Sequence, residues 1–222
     1  MAFEKGLIFD KRNYIQIYFS LLKLGNLFIF SFYSNSNDYN SQIIKIFLFF
    51  LFFAVHFLVN ALFFNDNTMH KIYEDKGTFN FIYQIPQIIY SSLISGIINI
   101  IIKYLSLSEK NILEIKSQNK IIFVKRKTEE ILYILKVKFA LFFIITFILL
   151  LSFMYYITCF CGIYINTQIH LIKDSIISFG LSLIYPFGIY LLPSMLRIIS
   201  LSSRKKDKKC LYKLSQLIEY IS

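Results

Sequence analysis

Four stretches of this chain, residues 43–64, 86–107, 139–161 and 175–201, run long with at most one charged residue each. A helix needs about 20 mostly apolar residues to cross about 30 Å of hydrocarbon at roughly 1.5 Å per residue. All four qualify. The chain is 56% hydrophobic and only 17% charged, so a soluble domain could not hide its Phe, Ile and Leu beneath polar surface. Disorder is excluded as well, because a chain of mean hydropathy +0.58 cannot stay solvated. The expected fold class is all-α: a polytopic membrane protein with four transmembrane helices.

Basic residues sort by segment. Residues 103–138 hold nine Lys/Arg against four Asp/Glu, and residues 197–222 hold seven against two. The 65–85 and 162–174 loops carry no such excess. With four spans, both basic segments fall on one side, and the positive-inside rule makes that side the cytosol. Both termini and residues 108–136 are then cytosolic. Lys45, Lys103, Lys138 and Arg197 fall at cytosolic span ends, where their side chains are expected to reach outward to lipid phosphates. A net charge of +11 is thereby assigned to anionic inner-leaflet lipid rather than nucleic acid, for which no recognition motif is present.

The domain reading has three parts: a cytosolic segment 1–42, a four-helix domain 43–201 and a basic tail 202–222. Residues 1–13 hold Glu4, Lys5, Asp10, Lys11 and Arg12 without an apolar run, so the first span is expected to act as an internal insertion signal. Residues 14–33 are long enough to span, yet Gln16, Ser20, Lys23, Gly25 and Asn26 interrupt them. That pattern predicts a helix lying in the membrane interface, with Lys23 directed to water. Segment 108–136 reads as two short amphipathic helices, near 109–116 and 129–138. In the tail, Leu211, Leu214, Leu217, Ile218 and Ile221 recur at helical spacing, predicting a helix on the inner leaflet.

Candidate site residues lie in and beside the spans. His56 and Asn60, four apart, share a face of the first span, about 12 and 6 Å from its outer end. Ser91, Ser92 and Ser95 fall at similar depth in the antiparallel second span, with Asn99 further in, and Ser92 and Gly96 form a small-xxx-small pair. We expect His56 and Asn60 to face this stripe, as polar packing or as part of an ion pathway. Asp66, His70, Glu74 and Asp75 are the weak candidates for a divalent cation, although an EF-hand spacing is missing. No cofactor is implied. Cys159 and Cys161 read as buried thiols, or as partners in an intermolecular disulfide. Cys210, beside the basic run, is a lipidation candidate. The fourth span contains Gly180, Gly188, Pro186 and Pro193, and a proline kink is expected there.

Two resemblances bear on function. His70 and Asp75 share the HxxxxD spacing of glycerolipid acyltransferases, which would imply a histidine base oriented by the aspartate. More broadly, residues 10–23, 60–95, 104–116 and 166–193 resemble an uncharacterised multi-span membrane module at the C-terminal end of paralogous large proteins of AT-rich single-celled eukaryotes. Such a module carries no known activity, and the resemblance implies that this chain is a free-standing copy or the end of a longer one. The leading expectation is a non-catalytic membrane anchor or helix-packing module, partnered by the bilayer, by copies of itself or by other membrane proteins. A small oligomeric channel or transporter subunit is the second, and an acyltransferase-like enzyme the third.

Overall fold

The computed structural model describes residues 3, 10–33, 38–64, 66–76, 78, 81–116, 121–201 and 208–221. All regular structure among them is helical. The helices are α1 (Tyr14–Gly25), α2 (Leu27–Phe32), α3 (Gln42–Phe63), α4 (Asp66–Glu74), α5 (Phe81–Ser106), α6 (Glu109–Lys116), α7 (Ile121–Ile163), α8 (Gln168–Ile189), α9 (Leu191–Leu201) and α10 (Lys208–Ile221). Four helical stretches are long and apolar enough to cross a membrane: Gln42–Phe63, Phe81–Ser106, Val124–Ile163 and Gln168–Leu201. Each overlaps one of the four expected spans, although the second, third and fourth begin earlier than expected. The chain divides into two compact units, residues 34–180 and residues 1–33 with 181–222.

In the first unit α3 packs on α5 and α7, which also touch each other. One end is closed by Ala61, Phe64, Ile72, Phe160 and Leu171, which form an apolar cluster. At the other end a polar latch ties the start of α3 to the α5–α6 turn. Asn40 Oδ1 accepts from the backbone N–H groups of Ser108 and Glu109, each at 3.1 Å. It thus caps α6 from a segment distant in sequence, meeting the need of a helix start for acceptors. Asp38 accepts from Lys45 Nζ at 2.7 Å and from the Asn40 N–H at 2.9 Å. Burial works to raise the Asp38 acid, but the Lys45 ammonium and the Asn40 donors outweigh it and hold the carboxyl below its ordinary 3.8.

Helix α7 corrects the expectation of a separate amphipathic helix near 129–138. It is one rod of 43 residues, about 65 Å at roughly 1.5 Å per residue, or twice a bilayer core. Nothing between Ile121 and Cys161 is Gly or Pro, so no residue stops the helix where the apolar stretch begins. The α6 helix lies along it, with Glu114 Oε1 2.9 Å from Lys127 Nζ.

In the second unit, residues 14–33 form two helices rather than one. Helices of 12 and 6 residues are each too short to span. Asn26 makes the break: its Oδ1 accepts from Ile29 N–H at 3.0 Å, capping α2. Its Nδ2 donates to the Leu183 carbonyl at 2.6 Å, one turn ahead of Pro186. A proline lacks the N–H that would continue the ladder and crowds the carbonyls before it. Tyr18 similarly donates to the Phe187 carbonyl at 2.9 Å. The fourth membrane-length stretch is interrupted at the single residue Tyr190, between the two prolines, which divides it into α8 and α9. Tyr190 is buried against α1, and a Cβ on Gly25 would overlap its ring, so only glycine fits there. Lys23 is not simply directed to water; its Nζ donates to Tyr33 Oη at 3.2 Å and sits over the same ring.

Candidate functional site

Helix α5 carries the clearest pattern. Its buried stripe is Gln84, Ile88, Ser91, Ser95, Asn99, Ile102 and Ser106, while Ile82, Ile89, Leu93, Ile97 and Ile100 are exposed. Polar groups face protein and aliphatic groups face outward, the reverse of a helix on a water-soluble domain. Lipid accepts such an outer surface, and the inner one turns its polar groups toward neighbouring helices.

Against this stripe α3 places His56 and Asn60, both buried. Ser91 Oγ donates to Asn60 Oδ1 at 2.8 Å, and Asn60 Nδ2 donates to the His56 carbonyl at 2.8 Å. His56 turns elsewhere. Its Nδ1 lies 2.9 Å from the Phe52 carbonyl, and its ring meets Phe179 edge-on at 5.4 Å between centroids. With Nδ1 as donor the proton is assigned there, leaving Nε2 as an acceptor with no partner among the described residues. Ser92 leaves the stripe altogether, its Oγ 2.9 Å from Ser178 Oγ. Ser95 Oγ and Asn99 Oδ1 are buried without partners among the described residues. The small-xxx-small expectation fails at Gly96, where an added Cβ would meet nothing within 4 Å. The close helix approach there is made by serine hydroxyls, not by glycine.

One part of this polar seam has no counterpart in the sequence reading. Leu171, Asp174, Ser175 and Ser178 of α8 are all buried, at i, i+3, i+4 and i+7. Asp174 is 0% exposed, and neither carboxylate oxygen has a hydrogen-bond partner among the described residues. Its position just before residue 175 places it in the 162–174 loop of the sequence reading, which carries no excess charge. The helical spacing with Leu171 and Ser178 was the available signal. A separate apolar cleft of about 10 Å³ between α3 and α7, lined by Leu51, Val55, Leu58, Leu149 and Phe153, holds no polar group and is not part of the seam.

The α4 residues do not converge. His70 Nε2 lies 3.2 Å from Glu74 Oε1, and its side chain is 72% exposed. Glu74 is thus the partner that HxxxxD would give to Asp75, since i+4 lies on the same helical face and i+5 does not. Asp66, at the other end of α4, accepts from Tyr164 Oη at 3.2 Å, and this bond to a carboxylate pushes the Tyr164 phenol above its ordinary 10.0. Among the described residues no three His, Cys, Asp or Glu side chains gather as metal ligands.

Expected roles of several surface groups also change. Cys159 is exposed and Cys161 half-buried, because Phe160 between them takes the inward position. Cys210 is exposed and free on α10. Three span-end cations turn toward protein rather than outward. Lys45 is 1% exposed beside Asp38. Lys138 Nζ donates to the Leu107 carbonyl at 3.0 Å, completing the C-terminal end of α5, where a cation is favoured. Arg197 is buried, with its guanidinium over the Tyr212 ring at 5.8 Å. Among the described side chains of α10, Tyr212 and Ser215 are buried, while Leu214 and Leu217 of the expected apolar face stay exposed and Ile221 lies outside the described side chains.

Fold and seam together define an all-helical protein built for an apolar medium. No family model, no curated protein and no solved structure matches the chain.

Proposed function

We propose that this chain is a four-span integral membrane protein acting by helix contact, as an anchor or packing module, without catalysis. The reversed polarity of α5, serine and asparagine inward and isoleucine outward, is the observation that supports it. In this reading both termini and the α6–α7 hairpin are cytosolic, following the lysine excess of residues 103–138 and 197–222. Leu214 and Leu217 of α10 meet the inner leaflet, where an acyl group on Cys210 would add to their hold. The likeness to a module at the end of larger proteins suits a role in holding something at the membrane.

A channel or transporter subunit is the second reading, favoured by the buried seam of His56, Asn60, Ser91 and Ser178, since intramembrane polar groups commonly line ion paths. Orientation is tested in sealed vesicles of known sidedness, in a variant with its three native cysteines replaced. Tyr73→Cys, on exposed α4, should react with an impermeant maleimide from outside, and Arg126→Cys only after permeabilisation. Reaction of both from one side would end the four-span topology. Vesicles containing the protein should pass no more sodium, potassium or chloride than empty ones; a protein-dependent flux would replace the packing role with the channel.

A further inference from the structure

Asp174 is the least explained group among the described residues. It is fully buried, and both its oxygens lack partners among the described residues. A carboxylate taken out of water without a counter-charge or donors is very costly, and such groups shed their charge instead. The surroundings of Asp174 follow from three contacts. Ser178, one turn along α8, meets Ser92 of α5; Phe179 meets Phe49, Phe53 and His56 of α3; Leu171, one turn before, joins Ala61, Ile72 and Phe160. Asp174 therefore sits between these levels, among α3, α5 and the outer ends of α4 and α7.

Titratable groups on those elements are few. Helix α3 offers His56, whose Nδ1 is engaged by the Phe52 carbonyl. From residue 81 to 102, α5 has no Asp, Glu, Lys, Arg or His, and its Tyr83 and Tyr90 are exposed. On α4, Lys71 and His70 pair with Glu74, and Asp66 is taken by Tyr164. Helix α7 brings Cys161 and Tyr156, the latter bonded to the Ala61 carbonyl at 3.3 Å. On α8 itself, His170 is buried one turn away and Lys173 is exposed.

We propose that Asp174 is a proton-binding site of the bundle, carried as the neutral acid and able to release its proton to water at the nearby end of α8. Deprotonation would leave an unpaired anion beside Ser175 and Ser178, which the packed state cannot hold, so loss of the proton is coupled to opening of this end of the seam. Proton uptake by a buried acid needs no transport, and the inference stands apart from both readings of the function.

A hydrophobic carbodiimide tests it, because a protonated carboxyl adds across the reagent's C=N bond, its proton passing to nitrogen and its oxygen to carbon. The full chain in lipid vesicles is treated near pH 7, where ordinary carboxyls, with values of about 4, are ionised, and mapped by mass spectrometry. Asp174 should carry at least about tenfold more adduct than Asp66, Glu74 or Asp75, falling as the pH is raised, and Asp174→Asn should remove that adduct alone. Two results would overturn the proposal: no excess label at Asp174, or label suppressed by sodium or potassium at constant pH, which would make the ligand a metal cation.

Discussion

Asn60 shows how a single polar side chain is used here. It bridges two helices, accepting from Ser91 and donating to the His56 carbonyl, so both ends of its amide are occupied. Hydrogen bonds between membrane helices average only about 0.6 kcal/mol, because the separated helices also find partners. A double-mutant cycle of Asn60→Ala and Ser91→Ala, followed by unfolding in mixed detergent, should give a coupling of about 0.5–1 kcal/mol. A coupling of zero would mean that the bond is not formed in the membrane. His56, four residues earlier and equally buried, should show no coupling to Ser95, since its ring nitrogen is directed to Phe52 and its face to Phe179. Sequence spacing put both residues on one face correctly. Which partner each meets depends on the relative rotation of α3, α5 and α8, which no spacing rule contains.

At the scale of elements, the latch at residues 38–40 orders the start of α3 and the start of α6 together. Replacing Asp38 by Asn leaves the Lys45 ammonium, 1% exposed, without its anion. Exposed pairs contribute about 0.5 kcal/mol and breaking a buried one costs about 4; this half-open pair should cost about 1–3 kcal/mol on thermal unfolding. The pH dependence has a definite sign. Asp38 is held below its ordinary 3.8, so its contribution is complete above that value and is lost as the pH falls through the lower folded value. Wild type and Asp38→Asn should therefore differ at neutral pH, begin to approach each other below about pH 3.8, and converge only below the still lower folded value. A gap that persists in acid would show that Asn40 and the helix cap, not the ion pair, make the latch. In the second unit, Asn26 and Tyr18 do the corresponding work, donating to the Leu183 and Phe187 carbonyls on either side of Pro186.

Taken whole, the molecule carries its apolar surface outward. Phe143, Phe147, Leu151 and Met154 on α7 are more than half exposed, which water would punish and acyl chains accept. The same helix continues through Lys125, Arg126 and Lys127, well past the length a bilayer can cover. An environment-sensitive fluorophore at Phe147→Cys should be quenched by lipids carrying a quencher in their tails. One at Arg126→Cys, about 18 Å beyond Lys138 at roughly 1.5 Å per residue, should be untouched. Quenching at both would bend α7 back onto the membrane and restore the two short helices that the charge pattern suggested.

Composition and the lengths of its apolar runs were sufficient, by themselves, to establish an all-helical chain with four membrane-length segments, because the thickness of hydrocarbon and the rise of a helix leave no alternative. The junction of the third span with its basic extension was less legible: charge changes along 121–161, but no Gly or Pro there breaks a helix. Tertiary structure alone decided that Asn60 meets Ser91, that Ser92 meets Ser178, and that Asn40 caps a helix far away in sequence. Those outcomes depend on how helices rotate and cross, and that is set by the sum of many side-chain contacts rather than by any local run of residues.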